Sequence, residues 1–369
     1  MAAQRDPELK TLLDKFVCVR LVQMGGVDLA LFQFDPLLAW SVFFMNGDKT
    51  IYGRFGTASP QAKRNRLDSN TNHTTAGLKA ALGAALETHA AYKAEPDAWR
   101  KRLAAKVGPK PLWRYAEKTP AAKKYGRLER VKGAKEGTCV HCHEVQRTAI
   151  DSYFMKKKKL PDRMLWMYPH PEVVGVTLSR DHCARVVSVV PDSAAGRAGL
   201  KTSDDIVSFG GQPLLSIADF QWVLHVAPDE GCKRPLTVRR GEKTIELELT
   251  LAPLFRRAGD WAWRYRVAGY AAWLWGGVTL ADHPKGVRVA GRSPHWFKRP
   301  NRSARRALNP GDVIVEVDGK PGWTRSTYLA YLMREKKLGS SVDLKVMRGG
   351  KTIRVTFRLP KKRPEVQGH

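Results

Sequence analysis

The stretch PDSAAGRAGLKTSDDIVSFGGQPL, residues 191–214, decides the fold of this chain. It runs from small residues ending in Ala-Gly-Leu to an Asp-Asp pair, an apolar strand and a Gly-Gly turn. A related order of residues returns at LNPGDVIVEVDGKPG, residues 308–322. Two distant segments with the same order of features indicate an internal duplication.

The duplication extends to both sides of this stretch. VVGVTL at 173–178 corresponds to LWGGVTL at 274–280, so that Val176 matches Val278 at an offset of 102 residues. Leu200 matches Leu308 at an offset of 108, because SPHWFKRPNRSAR in the second copy replaces PDSAAGR. Each copy continues into a predicted helix, SIADFQWVLHVA or STYLAYLMREKK, and a predicted closing hairpin.

The two copies, residues 171–255 and 265–360, resemble PDZ domains of the circularly arranged kind found in HtrA-type proteases. Such a small sheet leaves a groove between one strand and one helix, where an extended peptide adds as a further strand. The resemblance predicts peptide C-termini or partner proteins as ligands. The candidate peptide-binding residues are Gly175, Val176, Thr177, Leu178, Phe220, Val223 and Leu224 in the first copy, and Gly277, Val278, Thr279, Leu280, Tyr328 and Leu332 in the second. For most of the apolar helix positions, a role in the core alone is the competing interpretation.

PDZ pairs of the HtrA type usually follow a serine protease. This sequence contains no GxSGG nucleophile motif, and its segments do not suggest the two barrels that would present a catalytic triad. We therefore expect no hydrolase among these residues and name no catalytic residue.

The front of the chain, residues 1–92, has an α/β pattern. DPELKTLLDKF at 6–16 predicts a helix capped by Asp6, and VCVRLV at 17–22 predicts a strand buried on both faces that includes Cys18. A hairpin, AWSVFFMNGDKTIYGRFG at 39–56, and a helix at 74–92 follow. This order resembles the back half of a thioredoxin fold, although Ala39 stands where that fold has a cis-proline and the redox CxxC is missing. One hypothesis is that the true start lies upstream of Met1.

Residues 93–170 are predicted to form a small helical segment that carries GTCVHCHEVQ, residues 137–146. In this CxxCH motif, Cys139 and Cys142 could bond the vinyl groups of a c-type haem, with His143 on the iron. A sixth ligand could come from Met155, Met164, Met167 or His170. One alternative is a zinc site formed by Cys139, Cys142 and His143 together with His141 or His170. The other alternative is a thiol-disulfide pair.

Composition limits the remaining function classes. Lys and Arg number 64 against 35 Asp and Glu, a net charge of +29 that attracts anionic partners. The basic runs are scattered and accompany no nucleic-acid motif, which disfavours nucleic-acid binding. The N-terminus lacks the apolar core of a signal peptide. The longest run with few polar residues, 267–281, is shorter than the ~20 residues of a membrane helix.

The fold class predicted from these features is α+β multidomain: a truncated thioredoxin-like α/β front, a small helical CxxCH segment and two PDZ-like β-rich domains. The whole resembles a group of bacterial thioredoxin-fold/PDZ (seleno)proteins, which implies an exported, redox-linked protein. The expected function is peptide or partner binding combined with electron transfer by haem c, and the rival is a scaffold with structural zinc. The expected location is the periplasm or cell envelope if the true start lies upstream, and the cytoplasm if Met1 is the start.

Overall fold

The computed structural model describes residues 6–21, 23–36, 38, 40–58, 73–125, 142–156, 158–264, 274, 276–292 and 301–361. The chain divides into two compact units. The first unit comprises Met1–Ala149 and Met167–Gly259, and the second comprises Ile150–Trp166 and Asp260–His369. The architecture is mixed helix and sheet with several antiparallel sheets.

The front of the first unit contains two helices and a hairpin. Helix α1 spans Pro7–Leu13, and Asp6 caps it by accepting a hydrogen bond from the Leu9 amide at 3.0 Å. Strands β1 (Val42–Met45) and β2 (Ile51–Phe55) pair antiparallel, and helix α2 spans Thr75–Ala94. These predictions are confirmed because each rests on local chemistry, a cap, a turn or a helical repeat.

The buried strand predicted over residues 17–22 is wrong for residues 17–21, the part of it that the structure describes. These residues lie in irregular backbone, and Val17 and Val19 are 95% and 79% exposed. Cys18, which was expected to be a small buried residue, is exposed as well. An apolar run becomes a doubly buried strand only where flanking strands and helices cover it. In the described part of the front the sheet has two strands, β1 and β2, and neither pairs with this run.

The predicted helical segment consists of short pieces. Its helices are α3 (Pro96–Leu103), α4 (Pro120–Tyr125), α5 (Cys142–Met155) and α6 (Asp162–Leu165), and two 3₁₀ turns, Ala104–Lys106 and Ala116–Lys118, lie between α3 and α4. Pro96 and Pro120 each begin a helix. Their fixed φ suits the first turn and prevents a longer helix from running through them.

The first repeat begins with a 3₁₀ turn at Pro171–Val174. Its strands are β3 (Val176–Leu178), β4 (Val186–Val189), β5 (Asp205–Phe209), β6 (Gln212–Pro213), β7 (Cys232–Arg240) and β8 (Lys243–Leu251). β3 pairs with β4, and the other four form a sheet in the order β6-β5-β7-β8. Helices α7 (Ala194–Arg197) and α8 (Ile217–Val226) complete it, and a 3₁₀ turn at Phe255–Ala258 follows.

The second repeat has the same order of elements. Strands β9 (Val278–His283), β10 (Gly286–Arg292), β11 (Val313–Val317), β13 (Ser341–Arg348) and β14 (Lys351–Arg358) form one antiparallel sheet in the order β14-β13-β11-β10-β9. β12 (Lys320–Pro321) pairs with β11. Helices α9 (Arg302–Ala307) and α10 (Arg325–Arg334) correspond to α7 and α8.

One ion pair with a buried carboxylate recurs in both repeats. Asp204 is fully buried and accepts from the Arg240 guanidinium at 2.7 and 2.8 Å. In the second repeat, Asp312 and Arg348 repeat the arrangement at 2.8 and 2.7 Å. Each carboxylate also accepts a backbone N–H from the turn before it. The Asp of the repeated motif therefore fixes the turn between the short helix and the next strand.

No helix among the described residues is both long enough and apolar enough to span a bilayer.

Candidate peptide grooves and the Cys-His motif

Each repeat presents a left-handed glycine loop in front of its first strand. Gly175 has φ +82°, and Gly276 and Gly277 have φ +85° and +68°. A Cβ on Gly175 would collide with Ser193, and a Cβ on Gly276 would lie 2.5 Å from the Asn301 carbonyl oxygen. Only glycine adopts this backbone easily and allows so close an approach.

The residues that support these loops cap the short helices. Ser193 caps α7 through the Gly196 amide, and Asn301 caps α9 through two backbone amides. Asn301 also donates to the Leu274 carbonyl at 2.7 Å, which holds the second loop. Sequence reasoning missed both residues. The available signal was a Ser or Asn directly before a run of small or basic helix-forming residues.

The strands after the glycine loops direct their apolar side chains into the cores. Val176 and Leu178 are buried and Thr177 is half-buried, while Val278 and Leu280 are buried and Thr279 is exposed. Among the described residues, β9 is the edge strand of its sheet. In the first repeat, β3 pairs with β4 and with no other described strand. An edge strand offers unpaired backbone groups to an extended peptide.

The predicted pocket residues on the helices lie in the hydrophobic cores. Phe220, Val223 and Leu224 belong to the core of the first repeat, where Phe220 stacks on Phe209 with ring centroids 4.6 Å apart. Tyr328 and Leu332 belong to the core of the second repeat. Burial raises the pKa of the Tyr328 hydroxyl far above its usual range. The structure thus shows a core role for all five, and their contact with a peptide stays a prediction.

A cluster of buried charged side chains lies against α8, on the side of the helix that faces away from the core of the first repeat. Lys106 and Asp219 form an ion pair at 2.7 Å, and both side chains are fully buried. The Lys106 ammonium also donates to the Pro213 carbonyl at 2.6 Å. Burial lowers the pKa of Lys106, and the Asp219 carboxylate opposes that shift. Sequence reasoning did not predict this pair, because its members are 113 residues apart.

Arg54 completes this cluster, since its guanidinium lies 3.9 Å from the ring centroid of Trp222. It donates to the Gln33 and Lys106 carbonyls, at 3.1 and 2.6 Å. The Trp222 indole in turn donates to the Ala105 carbonyl at 2.9 Å. These contacts fasten β2 and the 3₁₀ turn at Ala104–Lys106 to the helix of the first repeat.

The Cys-His motif lies largely outside the described residues. Cys139 and His141 are not described, and for Cys142 and His143 the backbone alone is described, as the start of α5. A helix that begins at the second cysteine is compatible with a CxxCH segment, in which two thiols can bond to the vinyl groups of haem c and an imidazole can bind its iron. No group of three or more metal-ligating side chains occurs in the described part of the chain.

The candidate distal ligands have structural contacts of their own. The Met167 sulfur is buried and accepts from the Gln146 amide at 3.3 Å. His170 donates to the Ala58 carbonyl and lies 3.4 Å from the Glu172 carboxylate. Met164 packs against the core of the second unit, and Met155 is 37% exposed.

The other cysteines are free thiols. Cys18, Cys183 and Cys232 form no disulfide. Burial raises the pKa of the Cys183 thiol to about 11, so that its reactive thiolate is scarce at neutral pH.

The repeated glycine loop, edge strand and helix define a class: this is a PDZ-containing protein. The PDZ domain family matches residues 173–251 and again 277–359. These two matches lie on the two repeats and include every candidate peptide-binding residue.

Proteins similar to part of this chain are named serine proteases. A probable periplasmic serine endoprotease DegP-like of Pseudomonas savastanoi pv. phaseolicola is 28% identical over 186 residues, which cover 48% of this chain and 37% of that protein. The corresponding protein of Ectopseudomonas mendocina is 27% identical over 193 residues, covering 49% and 39%. The serine protease HTRA1 of Xenopus tropicalis is 39% identical over 67 residues, covering 18% and 14%. The chain spans less than two fifths of the length of each of these relatives.

Proposed function

We propose that this protein binds extended peptide segments of partner proteins through its PDZ domains, as a non-hydrolytic component of the cell envelope. One observation carries the proposal: both repeats place a left-handed glycine loop, packed against a helix-capping residue, directly before an edge strand. Backbone amides at such a loop can receive a peptide carboxylate, and the strand can pair with the peptide backbone.

The finer parts of the proposal have separate support. The envelope location is supported by relatives that are named periplasmic, and those proteins match about half of this chain. The non-hydrolytic role is supported by the sequence, in which no GxSGG nucleophile motif occurs. The net charge of +29 would speed encounters with acidic partners.

The proposal includes a c-type haem held by Cys139 and Cys142, with His143 on the iron. The motif spacing and the start of α5 at Cys142 support it. A bound haem would supply reversible one-electron transfer. The two thiols would fix the group covalently, and the helix would orient the imidazole. His170, Met164 and Met167 are the candidates for the sixth ligand.

Peptide binding is tested with the full chain and a displayed library of random C-terminal peptides. Enriched peptides are then titrated against Gly175→Val and Gly277→Val, in which a β-branched side chain strains the left-handed loop. We expect each variant to lose at least about tenfold in affinity for the peptides of its own repeat. Gly211→Val is the matched control, because its φ is +76° and no atom lies within 4 Å of its Cβ position. A library that yields no binder, or loop variants that bind as the parent does, would contradict the proposal.

Haem attachment is tested by expressing the chain with an export leader in a strain that matures c-type cytochromes. We expect covalent haem staining and a visible absorption band, both lost in Cys139→Ala and Cys142→Ala and kept in Cys232→Ala. A colourless protein with one zinc per chain would contradict the haem and indicate a structural zinc site instead. A protein with neither would leave the two cysteines as candidates for thiol-disulfide exchange.

A further inference from the structure

Helix α8 is covered on every side, which is unusual for the helix of a peptide groove. All eight residues from Ile217 to Leu224 are buried. Its core side faces Phe209 through Phe220. A surface helix normally leaves one side polar and wet. Residues outside the PDZ domain therefore cover the remaining faces of α8.

The outer face is covered by β2. The Arg54 amide donates to the Asp219 carboxylate at 3.2 Å, and its side chain lies over Trp222. At the start of the helix, the Ser216 hydroxyl donates to the Arg54 carbonyl at 2.6 Å. These bonds fix the point at which the chain leaves β2 and crosses α8.

The last residue of β2 and the three residues after it, Phe55–Ala58, follow the helix toward the glycine loop. The Thr57 hydroxyl hydrogen-bonds the Gln221 side chain, one turn after Ile217. The Ala58 carbonyl accepts from the His170 ring, directly before the 3₁₀ turn that leads into Gly175. Thr57 and Ala58 are 3% and 4% exposed, as expected for residues packed between two surfaces, whereas Phe55 is buried in the hydrophobic core of the front of the chain.

The opposite wall is the chain that follows β3. Phe55, Gly56 and Thr57 line one small cavity together with Arg180, Cys183 and the first residues of α8. The Thr74 hydroxyl donates to the Arg180 carbonyl at 3.1 Å, which closes this end with the start of α2. The segment thus lies between the end of the groove strand and the start of the groove helix.

The direction of the segment also matches that of a ligand. A peptide that adds to β3 runs antiparallel to it, so that its C-terminus points toward the glycine loop. Phe55 lies near Arg180, beyond the end of β3, and Ala58 lies near His170, before its start. Phe55–Ala58 therefore runs in the direction of a bound peptide, and its hydrogen bonds go to Gln221 on α8 and to His170.

We infer that Phe55–Ala58 is a built-in ligand of the first PDZ domain, and that a partner peptide must displace it. This inference rests on the proposed function. The segment also indicates the chemistry of that partner: a hydroxyl residue facing Gln221, followed by a small C-terminal residue beside His170. The first groove is then available only to a partner peptide that displaces Phe55–Ala58.

The test uses the full chain and a fluorescein-labelled peptide, Tyr-Gly-Arg-Phe-Gly-Thr-Ala, which copies residues 52–58 and has a free C-terminus. In the double variant Thr57→Lys Ala58→Lys, two buried charges beside Arg54 and His170 should expel the segment. We expect the variant to bind the peptide at least about tenfold more tightly than the parent, because its groove is no longer occupied. Thr57→Val, which loses the Gln221 contact alone, should lie between them.

Two controls keep the outcome decisive. Adding Gly175→Val to the double variant should abolish binding, whereas adding Gly277→Val should not. Hydrogen exchange at Val176–Leu178 should rise in the double variant and fall again with peptide, while exchange in β9 stays unchanged as evidence of folding. Equal affinity of parent and variant, or unchanged exchange at Val176–Leu178 in a folded variant, would overturn the built-in ligand. Library peptides that still depend on Gly277 would then leave the proposed peptide binding intact.

Discussion

The buried pair of Lys106 and Asp219 offers the sharpest test of how the front of the chain is attached to the first PDZ domain. Asp219→Asn keeps the shape of the side chain and an oxygen that can accept from the Leu215 amide, but it removes the charge. Lys106, fully buried 2.7 Å away, then has no carboxylate partner, and Arg54 lies in the same cluster. Breaking one half of a buried ion pair costs about 3–5 kcal/mol.

The effect is measured as the free energy of opening of α8 by native-state hydrogen exchange in the full chain. This local measurement suits a chain of several domains, whose denaturation need not be two-state. The double variant Lys106→Met Asp219→Asn removes the unpaired ammonium, so it should be more stable than Asp219→Asn by about 1–3 kcal/mol.

Asp14→Asn is the matched control, because the Lys10–Asp14 pair has a similar distance of 2.8 Å but is largely exposed. It should leave the opening of α8 unchanged. The reasoning is refuted if Asp219→Asn costs less than about 1 kcal/mol, or if the effects of the two substitutions simply add.

Three further predictions concern the first PDZ domain. Gly175→Ala should lower the thermal midpoint more than Gly211→Ala does, because both glycines have positive φ but only Gly175 is crowded by Ser193. Equal shifts in the two variants would show that the close contact with Ser193 does not affect stability. The pKa of Asp204 lies below its usual range because Arg240 and a backbone N–H outweigh the raising effect of burial. The stability from this group should be present above about pH 4 and lost as the pH falls further, and urea midpoints measured against pH should flatten in Asp204→Asn. Trp222→Phe should cost about 1 kcal/mol in α8 exchange through the lost bond to Ala105, and no loss would mean that water replaces it.

Much of the PDZ part was predictable because its determinants are local or repeated. A glycine with positive φ, an N-cap and an apolar strand each leave a mark within a few residues, and duplication at offsets of 102 and 108 residues reinforces them. The glycine loops before Val176 and Val278 were predicted from the resemblance of the repeats to PDZ domains, and in the structure their glycines have positive φ. Ser193 and Asn301, which pack against or bond to these loops, were missed. A capping pattern in the sequence does not show that the capping residue also contacts a distant loop.

The front of the chain shows where local pattern fails. Val17–Leu21 has the composition of a buried strand, yet it is exposed, because burial depends on neighbours that the pattern does not specify. The same limit applies to Thr57 and Ala58, which appear in the sequence as ordinary residues after a hairpin.

The amino-acid sequence by itself determined the two repeats, their strands and helices, the glycine loops and the CxxCH spacing, since all of these follow from short-range backbone chemistry. The tertiary structure alone decided that Lys106 meets Asp219, that Arg54 lies on Trp222 and that Phe55–Ala58 covers the groove helix. These contacts join residues more than 100 positions apart. The physical reason is that such pairs are selected by the packing of whole elements, which no local periodicity records.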